Sequence, residues 1–237
     1  MDNVRDTPLD SLASYRSRRS GTMAADATAA LRESIVMGSI PPGQPLRLEE
    51  IAHQLGMSIS PVREAVRQLE TLGLAEHTPY KGARVTSLTA EDMFDVYDAR
   101  FALETQAVRR LAPRFDEEAE RRLSRALGLL EEAYASGDRG RAVRGNSFFH
   151  LALAEASGSR WIPRLLQPTL QTFERYGAAA LTDETAAGVY AIESVGHVEI
   201  LEACRAGDPE AAVAALARHR DTFVQIFETE LAFGDHG

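Results

Sequence analysis

Three histidines and one asparagine in the second half of the chain have the residue types and spacing of a metal site. Asn146 and His150 are four residues apart, so on a helix both side chains project from one face. His197 and His219 are far enough apart to lie on successive antiparallel helices. Three imidazoles and one amide oxygen from three helices can bind a divalent ion. The alternative is that these histidines form ordinary hydrogen bonds in a core or at a surface.

The chemistry of this ligand set favours zinc or nickel over magnesium or calcium, because it is rich in nitrogen. A neutral amide oxygen is a weaker ligand than a carboxylate, so the predicted site keeps the full charge of its ion and attracts an anion. Open coordination positions could take water or a carboxylate. The sequence offers no general base tied to the site. We therefore interpret the ion as an anchor for a small carboxylate and not as a hydrolytic centre.

Arg100 is a candidate for binding the same kind of carboxylate. It lies seven residues after Met93 and three before Leu103, on the inward face of a predicted helix. A buried guanidinium needs an anion, which is either Glu104 one turn further on or the carboxylate of a ligand. Arginine binds a carboxylate through two parallel hydrogen bonds. Arg175, near the end of another predicted helix, is a second candidate.

The first half of the chain has the order of a winged helix-turn-helix. Residues 1–23 lack periodicity and predict a disordered arm. Helices are predicted over 24–37 and 49–55, and a third helix is expected to begin with Ser60 as its cap and Pro61 at its first position. Two short strands joined by a turn follow. Three helices and a hairpin predict a DNA-binding unit over 24–87.

In such a unit the start of the third helix enters the major groove of DNA. Arg63 lies on the polar side of that helix and can donate two hydrogen bonds to guanine. Lys81, the only lysine, is expected at the tip of the wing. The predicted DNA-binding residues are Ser58, Ser60, Pro61, Arg63, Arg67, Lys81 and Gly82.

The second half of the chain predicts helices alone. Capping residues such as Thr89, Asp116 and Asp138 each precede a helical pattern, and glycines fall at the joints. We expect about six antiparallel helices over 88–237, packed as a compact bundle. The predicted fold class is therefore mainly α, with one small β-hairpin.

Composition and charge exclude several classes of protein. The 237 residues carry a net charge of -9, but residues 15–87 are mildly basic and the remainder is acidic. This asymmetry suits an anion-binding module on an acidic scaffold, although ordinary variation in surface charge explains it equally well. No apolar run is long enough to span a membrane, and residues 1–22 do not have the pattern of a secretory signal. A single cysteine, Cys204, fits the reducing cytoplasm, where we expect the protein.

The run "IPPGQPLRLEEIAHQLGMSISPVREAVRQLETLGLAEHTPYKGARVTS" resembles the DNA-binding domain of the GntR family of bacterial transcription regulators. The runs "DVYDARFALETQAVRRLA" and "FFHLALAEASGS" resemble the helical effector domain of its FadR-like branch, the FCD domain. The resemblance extends over about residues 24–231. It differs at Ile59, where many relatives have arginine, so the operator preference of relatives does not transfer.

The resemblance implies a homodimer that binds a palindromic or pseudo-palindromic operator and responds to a small molecule. Metal-binding members of the branch have three histidines at the matching positions, with Asp or Asn four residues before the first. The arginine of the motif "R-x-x-L-E", here Arg100, often lies in the effector pocket.

These observations predict a regulator, not an enzyme, that acts as a repressor. Three alternatives remain open from the sequence: a regulator for which the metal itself is the signal, a metalloenzyme that uses the three histidines, and a DNA-binding dimer whose bundle is purely structural.

Overall fold

Helices make up most of the secondary structure in the computed structural model, which describes residues 8–17, 21–78, 82–87, 89–180 and 183–230. One two-stranded antiparallel hairpin is the described β-structure, so the predicted fold class is confirmed. The chain divides into two compact units, Met1–Leu88 and Thr89–Gly237. Among the described residues, no helix has both the length and the apolar character needed to cross a membrane.

In the described part of the N-terminal unit, three α-helices and the hairpin follow a short 3-10 helix, Pro8–Ser17. The elements are α1 (Met23–Val36), α2 (Leu48–Leu55), α3 (Ile59–Thr71), β1 (Ala75–Thr78) and β2 (Gly82–Val85). Ala75 pairs with Val85 and Thr78 pairs with Gly82. The segment before α2 also joins β2, because the Leu46 amide donates to the Ala83 carbonyl at 2.8 Å. The buried side of α3, which includes Val62, Val66 and Leu69, packs into the core of this unit.

The start of α3 corrects the prediction that Ser60 caps it. The helix begins at Ile59, and Ser58 occupies the cap position with extended backbone angles and no side-chain capping bond. Ser60 and Pro61 therefore lie inside the first turn. Proline fits there as well as at the first position, because the first N–H groups of a helix have no intrahelical acceptor.

Pro8–Ser17 departs from the disordered arm predicted for residues 1–23. This segment forms a 3-10 helix in which Leu9 and Leu12 are fully buried in the core of the N-terminal unit. Tyr15 is partly buried against the same core. The three residues recur at the three-residue period of a 3-10 helix, so they share one side of it.

The described residues of the C-terminal unit, 89–180 and 183–230, form six long helices, as predicted. They are α4 (Ala90–Leu111), α5 (Glu117–Ala135), α6 (Arg139–Ala156), α7 (Ile162–Ala180), α8 (Asp183–Arg205) and α9 (Pro209–Glu230). Side chains of Thr89, Asp116 and Asp138 accept hydrogen bonds from amides in the first turns of α4, α5 and α6. These contacts confirm the predicted caps and explain where the three helices begin.

The packing of these helices brings four of them around one interior region. Helix α4 contacts α6, α7 and α9, and α8 lies beside α9. A core that includes Leu123, Phe149 and Ile200 fills one part of the unit. Buried polar side chains of α4, α6, α8 and α9, among them Arg100 and His150, form the candidate site.

Candidate metal centre and nucleic-acid interface

Three buried histidines meet inside the helical unit. His150, His197 and His219 come from α6, α8 and α9, and each has an imidazole nitrogen within 4.8 Å of those of the other two. The Nε2 atoms of His150 and His197 are 3.3 Å apart. Two nitrogens bound to one tetrahedral zinc at about 2.0–2.1 Å are separated by about the same distance. The three rings therefore have the spacing of a ligand set without rearrangement of the backbone.

Burial keeps these histidines neutral. It lowers the pKa of His150, His197 and His219 well below 6.5, and the positive charge of Arg100 acts in the same direction. A neutral imidazole has a free lone pair for a metal, whereas an imidazolium ion has none. The protonation state therefore suits metal binding.

Asn146 lies one turn before His150 on α6 and reaches the same interior region. Its Nδ2 atom is 3.4 Å from the Nε2 atom of His197 and 3.4 Å from the Oε2 atom of Glu193. Its Oδ1 atom is buried without a hydrogen-bond partner. The fold thus brings together the four residues that the sequence predicts as metal ligands.

Glu193 is a member of this cluster that the sequence analysis missed. It lies on α8 one turn before His197 and is 4% exposed. Its Oε2 atom is 3.6 Å from the Nε2 atom of His219, and its Oε1 atom is buried without a hydrogen-bond partner. Burial raises the pKa of Glu193 to about 8. The four-residue spacing to His197 was the signal available in the sequence.

The residues present fit a divalent cation. Buried polar atoms without hydrogen-bond partners, Asn146 Oδ1 and Glu193 Oε1, lie beside three neutral imidazoles. A cavity of about 30 Å³ borders Asn146 and Glu193. Buried polar atoms of this kind are normally satisfied by a partner, an ion or water. Imidazole nitrogens with one or two oxygens are ligands that divalent transition metals take.

The start of α3 presents the predicted DNA-binding side chains to solvent. Ser58, Ser60, Arg63 and Arg67 are exposed, and Pro61 is half-buried. Gly82 is exposed at the start of β2 and has a φ of 79°, a conformation that favours glycine. The predicted contact Lys81 lies outside the described residues.

A groove of about 650 Å³ in the N-terminal unit collects arginines from three elements. Arg63 and Arg67 of α3 line it together with Arg47 and Arg84. Arg47 directly precedes α2, and Arg84 lies on β2, where Pro45 forms a β-bridge with it. The sequence analysis did not select these last two residues, although both belong to the basic segment. Four guanidinium groups along one groove suit the phosphates of a nucleic-acid backbone.

Comparison with known proteins assigns both units. The profile of bacterial regulatory proteins of the gntR family matches residues 23–85, and the profile of the FCD domain matches residues 95–222. The chain belongs to the GntR family. It is a transcription regulator of the type that carries an FCD domain.

Relatives of this GntR-family regulator include two named repressors. The "Probable D-xylose utilization operon transcriptional repressor" of Paenarthrobacter nicotinovorans is 34% identical, over 80% of this chain and 83% of that protein. The gluconate operon transcriptional repressor of Bacillus subtilis is 30% identical over 60% of each chain. A solved GntR structure from Rhodococcus sp. RHA1 is 27% identical with a TM-score of 0.76, covering 88% of this chain and 99% of that one.

In this GntR-family regulator, Arg100 has a carboxylate partner within its own helix. The guanidinium is 1% exposed, and its Nε donates to Glu104 Oε1 at 2.7 Å. Its central carbon lies 4.6 Å from the centre of the Phe173 ring. The same Glu104 oxygen is 3.1 Å from His150 Nδ1. Arg100 therefore reaches the histidine cluster only through Glu104, whose Oε1 atom lies between the guanidinium and the ring of His150.

Arg175 is also buried in the FCD domain, but its charged neighbours differ. Burial lowers the pKa of Arg175, and Asp92 and Tyr176 act against that shift. Asp92 lies in the first turn of α4, about three turns before Glu104. The structure therefore places the charge of Arg175 beside the beginning of α4. Of the two candidate arginines, Arg100 lies nearer to the three histidines.

Proposed function

We propose that this regulator is a ligand-responsive repressor whose FCD domain binds a small organic acid at a divalent metal. The observation that carries the proposal is the convergence of three buried, neutral imidazoles on α6, α8 and α9. Two relatives named as repressors support the direction of regulation.

His150, His197 and His219, with Asn146, would hold zinc or nickel. The bound ion would supply a positive charge and an open position for a carboxylate. Glu104 lies on the other side of His150, with its Oε1 atom 3.1 Å from Nδ1, where it would accept a hydrogen bond from the ring once a metal holds Nε2. Arg100 keeps that carboxylate in place and adds positive charge near the effector.

The DNA-binding unit would read an operator through α3 and hold its backbone through the arginine groove. We assign base contact to Arg63, which can donate two hydrogen bonds to guanine, and phosphate contact to Arg47, Arg67 and Arg84. A homodimer would place two such units on the half-sites of a palindromic or pseudo-palindromic operator. The effector changes operator affinity only if it binds two arrangements of the dimer with different affinities.

The test combines elemental analysis with operator binding. Wild-type protein is expected to carry about one zinc or nickel per chain, and the double variant His150→Ala/His197→Ala is expected to lose it. A panel of small carboxylates is screened by thermal shift, and each hit is then measured for its effect on operator affinity. Val198→Ala, an exposed neighbour on α8, serves as the control. An effector response that survives in the double variant contradicts the proposal.

One observation favours a second candidate, in which the metal itself is the signal. The cavity beside Asn146 and Glu193 is about 30 Å³, which is the volume of about one water molecule and smaller than an organic acid. Titration of zinc or nickel against operator affinity, with no organic acid present, separates the two regulators. If the metal alone produces the whole change in operator affinity, the second candidate is supported.

A further inference from the structure

The hydroxyl of Tyr176, on α7, is bound to the first turn of α4. The side chain is 1% exposed, and its hydroxyl donates a hydrogen bond to Asp92 Oδ2 at 2.5 Å. Thr89 contributes a backbone hydrogen bond to the same hydroxyl, and the Thr89 side chain accepts from the Asp92 amide at 3.1 Å. Tyr176 is therefore fixed to the cap of α4. This cap directly follows the compact unit Met1–Leu88, which contains the DNA-binding helices.

The same part of α7 forms one wall of the small cavity beside the candidate metal centre. Phe173 and Gly177 line this cavity together with Asn146 and Glu193. Tyr176 lies three residues after Phe173 and one before Gly177, so the three residues span about one helical turn. This turn thus lines the cavity with two residues and holds the start of α4 with a third.

This cavity must enlarge before it can take an organic acid. Its volume of about 30 Å³ is that of about one water molecule, so any ligand with several carbon atoms displaces a wall. Helix α7 is a wall with a weak point, because Pro168 lies inside it. Proline has no amide to donate to the carbonyl of Arg164, four residues earlier, and helices bend at such positions. The part of α7 after Pro168, which carries Phe173 and Tyr176, can therefore tilt.

We propose that α7 couples the effector site to the DNA-binding unit and that Tyr176 is the positioning residue in this coupling. The inference rests on the proposed function. A ligand in the enlarged cavity displaces Phe173, and Tyr176 moves with it because backbone hydrogen bonds keep a helical turn rigid. The hydrogen bond to Asp92 transfers this displacement to the first turn of α4. The free and bound states then differ at the residues that join the two units, as a change in operator affinity requires.

The test removes single groups of this contact. Tyr176→Phe keeps the buried ring and loses the hydroxyl, and Asp92→Ala removes the acceptor. Asp92→Asn retains an oxygen that can accept from the hydroxyl, so it is expected to behave as the wild type. Asp95→Ala is the matched control, because Asp95 is another exposed aspartate of α4, three residues further on. If Tyr176→Phe does not fold, Asp92→Ala keeps the test in place, since Asp92 is exposed.

Each full-length protein is measured by fluorescence anisotropy on an operator selected from random DNA by the wild type. Affinity is compared without zinc, with zinc, and with zinc plus acetate, lactate or benzoate. We expect a change of at least about fivefold in the wild type, Asp92→Asn and Asp95→Ala, and of less than about twofold in Tyr176→Phe and Asp92→Ala. Zinc affinity, measured by competition with a chelating dye, is expected to be the same in all of them, because the substituted side chains lie at the start of α4 and not at the histidines.

The outcomes separate this inference from the proposed function. By reciprocity, operator DNA must change zinc affinity by the same factor by which zinc changes operator affinity, and this second ratio is expected to be lost in Tyr176→Phe as well. A coupling in Tyr176→Phe equal to that of the wild type overturns the role of Tyr176 and leaves the proposed function in place. Loss of zinc binding in that variant also overturns the inference, because the hydroxyl would then act on the site itself. A wild-type protein that responds to neither zinc nor the carboxylates overturns the proposed function.

Discussion

Gly196 allows α8 to pack closely against His219 of α9, and its replacement by alanine tests the geometry of the metal centre. It directly precedes His197 and faces the ring of His219. A methyl group at position 196 would overlap Nδ1 of His219 and would lie 3.1 Å from its Cγ atom and 3.3 Å from its Cβ atom. Carbon atoms in contact are normally about 3.5–4.0 Å apart, so the ring must move by about 0.5–1 Å.

This displacement is larger than a metal site tolerates. Ligand distances in such sites hold to about ±0.2 Å, so His219 in Gly196→Ala is expected to leave the ligand set. We expect zinc affinity to fall by about 100-fold or more. The metal-free fold changes less. The higher helix propensity of alanine, about 0.8–1 kcal/mol, offsets part of an overpacking cost of about 1–3 kcal/mol.

Gly188→Ala is the matched control because Gly188 also lies on α8 and has nothing within 4 Å of an added Cβ atom. It is expected to raise the unfolding free energy by up to about 1 kcal/mol and to leave zinc affinity unchanged. Zinc competition against a chelating dye and thermal unfolding with a chelator measure the two quantities separately. Equal zinc affinity in Gly196→Ala and Gly188→Ala would refute the reasoning.

Three further predictions concern the DNA surface, a buried ion pair and pH. Arg63→Ala is expected to cost about 1–3 kcal/mol of operator binding and to relax the base preference at one position. Arg67→Ala is expected to weaken binding to all DNA sequences alike and to lower the salt dependence of binding by about one ion. Fluorescence anisotropy at several salt concentrations checks both variants. Arg100→Met should reduce the unfolding free energy by about 3–5 kcal/mol because it leaves Glu104 buried without its cation, and the double variant Arg100→Met/Glu104→Leu should lose less. A single variant as stable as the wild type in urea would contradict this. The pKa of each site histidine is lower in the folded chain than its unfolded value of about 6.5. The metal-free protein is therefore expected to lose stability as the pH falls below about 6.5. The loss is at most about 1.4 kcal/mol per pH unit for each histidine. Glu193 acts oppositely, since its folded pKa of about 8 exceeds the unfolded value of about 4.3, and stability should fall as pH rises towards 8. Urea unfolding with a chelator from pH 5 to 8 measures how the unfolding free energy changes with pH for both effects. An unfolding free energy that does not change with pH would count against the buried, neutral site.

Local patterns predicted most of the helices and strands correctly. Thr89 was expected to cap α4, and its Oγ1 atom accepts from the Asp92 amide at 3.1 Å. Val62, Val66 and Leu69 were expected on the inner side of α3, and all three are buried. Caps and periodic apolar stripes involve residues within a few positions of each other, so the sequence contains the complete signal.

Two local features were predicted wrongly for identifiable reasons. Pro8–Ser17 was treated as disordered because its composition is polar, yet Leu9 and Leu12 recur at the 3-10 period and are buried. The start of α3 was placed at Pro61, although the helix begins at Ile59. A proline is accepted at several positions of the first turn, so it locates the start of a helix only to within one turn.

The sequence by itself determined the winged helix-turn-helix and the six-helix unit, because each depends on spacing along single elements. It selected the three histidines by residue type and family resemblance, and the tertiary structure decided that they meet. Only the tertiary structure decided that Glu193 lies beside Asn146 and His219, and that Arg100 pairs with Glu104 next to His150. These contacts join α4, α6, α8 and α9. The pairing of a buried charge depends on how distant helices pack, and that packing leaves no periodic signal in the residues around it.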